Sequence, residues 1–155
     1  MRAVFAVLAV LIIVAGATAG PAVERAQGDL RLRLAAAKAS FTAGEPVEVR
    51  LAITNAASSP ISITYYTGQQ SDLLVRQRGA LIWQWSHDKA FVQVVRESTM
   101  GPGERLFYSW MWDQRDLQGR QVEPGAYDIS AVFMGAQRTG PRTVEVGPLQ
   151  ITIAR

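Results

Sequence analysis

Apolar and polar residues alternate one by one along much of this chain. Leu30, Leu32 and Leu34 are separated by Arg31 and Arg33. Val47, Val49, Leu51 and Ile53 are set among Glu48, Arg50 and Thr54. Ile61, Ile63 and Tyr65 flank Ser62 and Thr64, and Tyr127, Ile129, Ala131 and Phe133 flank Asp128, Ser130 and Val132. Successive side chains of a strand point to opposite faces, so this period predicts strands with one face inward and one in water. Residues 72–77 and 80–85, joined at Arg78 and Gly79, predict a hairpin. Phe91, Gln93 and Val95 predict a further strand over 91–95. Residues 105–112 place Tyr108, Trp110 and Trp112 on one face. Residues 143–153 predict the last strand, interrupted at Gly147 and Pro148. Segments 41–46, 55–60, 67–71, 86–89, 100–103, 113–125 and 135–142 carry the intervening turn and loop residues. No window keeps a 3.6-residue period over a helical length. Eight or nine short strands with regular turns predict an all-β antiparallel sandwich.

The N-terminus breaks the pattern. Met1 and Arg2 precede an apolar run over 3–15, and Ala17, Thr18 and Ala19 supply a small-x-small site. A positive start, a short apolar run and small residues predict a signal peptide over 1–19. The run is shorter than the ~20 residues that span a bilayer comfortably. The expectation is therefore export to a bacterial periplasm or the exterior with no stable membrane span after cleavage; retention as an anchor is the alternative. Residues 20–28 are small and polar and predict a flexible leader. Residues 29–155 are enough for one domain with its own core.

Composition narrows the chemistry. The absence of Cys removes thiol catalysis, thiolate metal sites and disulfide bracing. The net charge of +3 comes from scattered Lys and Arg among interspersed acids, without the clustered basic footprint of a nucleic-acid binder.

One stretch carries most of the specific signal. Trp83, Gln84, Trp85 and Ser86 come first, followed by Phe91 and Gln93. Gly101, Pro102, Gly103 and Glu104 follow, then Trp112 with Asp113, Gly119, and Pro124, Gly125, Ala126 and Tyr127. In this order the pieces resemble the BsuPI family, named for an intracellular proteinase inhibitor. Upstream, Phe41, Gly44, Glu45, Pro46 and Val47, with Thr54 and Asn55, resemble the opening strands of bacterial Ig-like domains. The resemblance implies an Ig-like β-sandwich that binds a proteinase and needs no cofactor. Its motif residues are mainly Trp, Gly, Pro and Tyr, which build a fold.

Each candidate residue has a structural and a functional reading. Trp83 and Trp112 are expected to fill the space between the sheets. Trp85 and Trp110 are the better candidates for a partner-facing aromatic patch, with His87, Lys89 and Met100 beside them. Tyr127, after Pro124 and Gly125, is expected to form a tyrosine corner. His87 lies between Ser86 and Asp88, but triad partners meet by folding rather than by adjacency, so a capped turn is the simpler reading. Asp113, Asp116 and Gly119 lack the ligand pattern of an EF-hand and are read as turn residues. An inhibitory contact needs an exposed, pre-ordered loop, and 66–71, 86–89 and 99–103 are the three candidates. The expected function is a non-enzymatic, exported protein-binding module that inhibits a serine proteinase. An assembly or glycan-binding Ig-like module of the cell envelope is the alternative.

Overall fold

The computed structural model describes residues 19–155, so the signal peptide expected over 1–19 lies, but for its last residue, outside the described residues. Twelve strands and no helix make up the described chain. They are β1 (Ala22–Gln27), β2 (Leu30–Ala36), β3 (Ser40–Thr42), β4 (Val47–Asn55), β5 (Ile61–Tyr65) and β6 (Ser71–Gln77). β7 (Ala80–Gln84), β8 (Arg96–Met100), β9 (Arg105–Trp112), β10 (Gly125–Phe133), β11 (Gly135–Ala136) and β12 (Val144–Ala154) complete them. One sheet has the order β1-β2-β4-β9, a second β3-β12-β10-β6-β7, and a small third sheet β11-β5-β8. All pairings are antiparallel except the short contact of β3 with β12.

The two large sheets form a β-sandwich because alternation gives each an apolar face. Leu30, Leu32 and Leu34 of β2 and Val47, Val49, Leu51 and Ile53 of β4 are buried against Leu73 and Val75 of β6 and Ile129 and Ala131 of β10. Aromatic rings bridge the sheets. The Trp112 indole of β9 lies 5.5 Å from Tyr127 of β10 and 6.4 Å from Trp83 of β7, centre to centre. Tyr108 meets Phe133 at 6.4 Å, and Phe133 meets Tyr65 of the small sheet edge-on at 5.9 Å.

Five segments depart from the alternation reading. Residues 22–27, expected within a flexible leader, form an edge strand that pairs with β2 along its whole length. Val23 packs on the core and Glu24 pairs with Arg33, so a mostly polar segment is held by its neighbour. The strand expected over 91–95 is absent, and the segment has no regular structure. β5 instead takes the polar 96–100 as its partner. Ser40–Thr42 and Gly135–Ala136 add short strands where turns were expected. At Gly147 and Pro148, β12 stays one strand but spends three steps, from Val146 to Leu149, against two on β10, from Ala131 to Ile129. The extra residue is a bulge.

Candidate functional site

The β6–β7 hairpin positions the site. Arg78 and Gly79 both have positive φ, the backbone of a two-residue turn that matches strand twist. β7 ends at Gln84, and the chain then leaves the sheet until β8 begins at Arg96. A buried carboxylate holds the point of departure. Asp72 is 2% exposed. Its Oδ2 accepts from the Ser86 hydroxyl and from Gln84 Nε2, each at 2.6 Å. Its Oδ1 accepts from the backbone N–H of Leu73 at 2.9 Å and of Ser86 at 3.1 Å. Four donors for one carboxylate satisfy its lone pairs, as a buried charge requires. Ser86 is therefore a clamp residue, its hydroxyl committed to Asp72.

Beyond the clamp the chain folds over Trp85. The Lys89 ammonium lies 4.7 Å from the Trp85 ring centre and donates to the Trp85 carbonyl at 2.8 Å. Lys89 also bonds Asp88 at 3.1 Å, and that hydrogen bond holds the Asp88 carboxyl below its ordinary range. Phe91 also packs on this indole, its ring centre 6.0 Å away. Val92 then accepts a hydrogen bond from the Gly68 N–H at 2.8 Å. A Cβ on Gly68 would stand 3.0 Å from a Val92 methyl, so a larger residue there would press on the exposed valine. From this anchored base Val92, Val94 and Val95 project into solvent at 70%, 48% and 65% exposure.

The facing wall is the 113–121 connection. The Trp112 indole N–H donates to the Arg115 carbonyl at 2.9 Å, and the Leu117 N–H donates to Ile82 of β7 at 3.0 Å. Asp116 accepts backbone N–H bonds from Gln118 and Arg120, both at 2.9 Å, and also bonds the Arg120 side chain. Those bonds, the Arg120 amide foremost, hold its carboxyl below the usual range. Between the walls lies an open cleft of about 290 Å³, bordered by Trp83, Trp85, His87, Lys89, Asp113 and Gly119 among others. No group of three or more His, Cys, Asp or Glu stands close enough to hold a metal among the described residues.

The structure thus brings Trp83, Trp85, His87, Lys89, Asp113 and Gly119 together, and it corrects two candidates. Trp110 is 5% exposed and stacks on Tyr108 inside the sandwich, so it offers no patch to a partner. Met100 is buried at the end of β8. Its place in the loop expected over 99–103 is taken by strand pairing of Thr99 and Met100 with β5. Trp83, expected in the core, is only partly buried beside Trp112 and the cleft.

Other motif residues serve the frame. Pro102 and Gly103 turn β8 into β9; the Asn55 N–H donates to the Glu104 carbonyl and the Gly103 N–H donates to the Asn55 carbonyl. The Tyr127 hydroxyl donates to the Glu123 carbonyl at 2.6 Å, four residues upstream, around Pro124 and Gly125. Sequence reasoning missed Asp72 and the exposed valines. A carboxylate at the start of a strand whose hairpin partner ends in Gln84 and Ser86 was the available signal for the first.

Comparison with known proteins follows this geometry. The model of the BsuPI family, described as intracellular proteinase inhibitor, matches residues 34–138. No curated protein matches the chain. Among solved structures, the CARDB domain of a Pyrococcus furiosus protein is similar at 13% identity and TM-score 0.47, over 81% of this chain and 88% of that one. The alkylpurine DNA glycosylase AlkC of Pseudomonas fluorescens is similar at 12% identity and TM-score 0.47, over 82% of this chain. A β-glucosidase of Erythrobacter marinus is similar at 18% identity and TM-score 0.43, over 78% of this chain. The chain spans 31% of the glycosylase and 15% of the glucosidase. The intracellular description of the matching family overturns the periplasmic or extracellular location expected from the N-terminal run.

Proposed function

We propose, from the premise that this chain belongs to the BsuPI family, that it is a proteinase-inhibitor-like module whose contact segment is 91–95. The target is a serine proteinase. The observation that carries the reading is an apolar segment that is exposed in its middle and fixed at both ends. Val92, Val94 and Val95 are open to solvent, while Phe91 rests on Trp85, Val92 is tied to Gly68, and Arg96 enters the β5–β8 pairing. A segment ordered before binding loses little further entropy when an enzyme cleft closes on it. Branched apolar side chains suit apolar subsites, and burying each in the partner contributes ~1.5–3 kcal/mol at most. His87 at the rim of the neighbouring cleft extends the contact. Lys89 and Trp85 act beneath it as supports.

The test is titration of a panel of subtilisin-type serine proteinases with the purified protein. The expected result is stoichiometric loss of activity against at least one of them. Val94→Asp, which leaves the sandwich intact, weakens that inhibition at least ~10-fold, the equivalent of about 1.4 kcal/mol. A panel untouched at micromolar protein removes the inhibitor reading. Undiminished inhibition by Val94→Asp moves the contact away from this segment.

A further inference from the structure

We infer that two copies of this chain pair through the free edge of β9 to form a two-fold symmetric dimer. β9 ends its sheet, with β4 on one side and no strand on the other among the described residues. Its polar groups are sorted accordingly. The Asn55 N–H donates to the Glu104 carbonyl, and the register then runs Ile53 to Leu106, Leu51 to Tyr108 and Val49 to Trp110. Antiparallel ladders alternate bonded and non-bonded pairs. The N–H and C=O groups of Leu106, Tyr108 and Trp110 therefore face β4. Those of Phe107, Ser109 and Met111 face the open edge. Unpaired edges of this kind are templates for another strand.

Two of these three residues also carry an apolar surface on the outer face. Phe107 and Met111 are 69% and 60% exposed. Phe107 stands opposite Ala52 on β4, too small to cover a phenyl ring, and Met111 stands opposite Glu48. Natural edges are blunted by charge, proline or bulges, and Phe107, Ser109 and Met111 supply none of these.

The sequence of β9 is complementary to itself. Antiparallel pairing about a two-fold axis at Ser109 sets Ser109 against Ser109 of the second copy, with short side chains at the centre. It sets Phe107 against Met111 of the second copy, a sulfur–aromatic pair, twice over. One step further out, Arg105 meets Asp113 of the second copy, again twice. Arg105 is exposed and in no ion pair among the described residues. The Asp113 side chain is 65% exposed; its Oδ1 accepts the Arg115 backbone N–H at 3.2 Å, while its Oδ2 stands 3.6 Å from the Arg115 guanidinium. Each pair falls where Phe107, Ser109 and Met111 have their outward N–H and C=O groups, so contacts and hydrogen bonds demand the same register. A closed, self-complementary contact of this kind is what a two-fold dimer needs, and the charge match selects a second copy as the occupant.

Sedimentation velocity of the purified protein over a concentration series tests this. A monomer–dimer equilibrium is expected. Phe107→Lys shifts it to monomer without changing the far-ultraviolet circular dichroism. Arg105→Asp weakens the dimer about tenfold, and adding Asp113→Arg restores it, since two like-charge contacts become two opposite ones. A single cysteine in this Cys-free chain reports the axis: Ser109→Cys gives a disulfide-linked dimer under mild oxidation, and Arg105→Cys does not. A protein that stays monomeric throughout the series overturns the assembly, whether its edge is left to solvent or to a foreign strand. Equal cross-linking of the two cysteine variants overturns the register.

Discussion

Replacing Asp72 with Ala strikes the clamp that launches the 86–95 segment, and the cost can be worked from its four hydrogen bonds. Two donors are side chains, Ser86 Oγ and Gln84 Nε2, which can turn toward solvent once the carboxylate is gone. The other two are the backbone N–H groups of Leu73 and Ser86, which cannot turn. A buried donor left unsatisfied costs about 1–3 kcal/mol, so the stranded pair costs about 2–6 kcal/mol before relief. Removing a buried charge recovers part of its desolvation penalty, and the expected net loss is about 3 kcal/mol. Asp72→Asn keeps an oxygen for both backbone donors. Its new amide faces Gln84 and Ser86, which can flip and rotate to accept, so its expected cost is about 1 kcal/mol. Urea unfolding measures both, and amide exchange locates the effect. In Asp72→Ala, the Ser86 amide and the Lys89 amide bonded to the Ser86 carbonyl lose protection before the β10–β12 ladder does. An alanine variant within ~0.5 kcal/mol of the parent, with Ser86 still protected, would show that the carboxylate does not hold the segment.

Three further outcomes are expected. Burial foremost, and the neighbouring Tyr65 phenol next, push the Tyr108 hydroxyl well above its ordinary value of 10.0, and Tyr65 and Tyr127 shift in the same direction. The folded state then keeps protons that the unfolded chain releases, so thermal stability stays level below the unfolded value and falls as pH rises beyond it; Tyr108→Phe, followed by melting against pH, flattens that fall. Tyr127→Phe removes the 2.6 Å bond to the Glu123 carbonyl and costs about 1 kcal/mol in urea unfolding, with the Pro124 turn loosened first in amide exchange. Trp112→Ala, at a fully buried indole touching Trp83 and Tyr127, costs about 3–5 kcal/mol, well above Trp85→Ala at its half-buried site.

What the sequence made legible follows from where information resides. Strands β2, β4, β5 and β10 announce themselves because each contributes one face to the core, and burial of that face enforces strict alternation. β1 and β8 bury little of their own surface and are strands only because β2 and β5 offer unpaired edges beside them. Such pairing is a property of the partner, and no window of polar sequence encodes it. The 91–95 segment gave the opposite error. Phe91, Gln93 and Val95 suggested a strand, yet no core face receives Val92, Val94 or Val95, and exposure rather than periodicity is what distinguishes them.

The same distinction explains the site. Trp110 and Trp112 share spacing with Trp83 and Trp85, so spacing alone cannot separate a core ring from a surface one. The layer decides. β9 faces the sandwich with its even-numbered residues, which draws Trp110 and Trp112 inside, while β7 is the edge of the other sheet and leaves Trp83 and Trp85 half covered. An edge strand followed by a segment outside any sheet is where aromatic rings can both close the core and brace an exposed loop. Asp72 completes that arrangement from the neighbouring strand. Gln84 and Ser86 of the W-x-W-S motif are therefore tied together through a carboxylate upstream of the motif, while Trp85 carries Phe91 and Lys89, so the motif reads as the footing of the 91–95 segment. If 91–95 is the contact segment, as proposed, a change that loosens Ser86 is expected to weaken inhibition through the footing, whereas Val94→Asp is expected to weaken it with Ser86 fully protected.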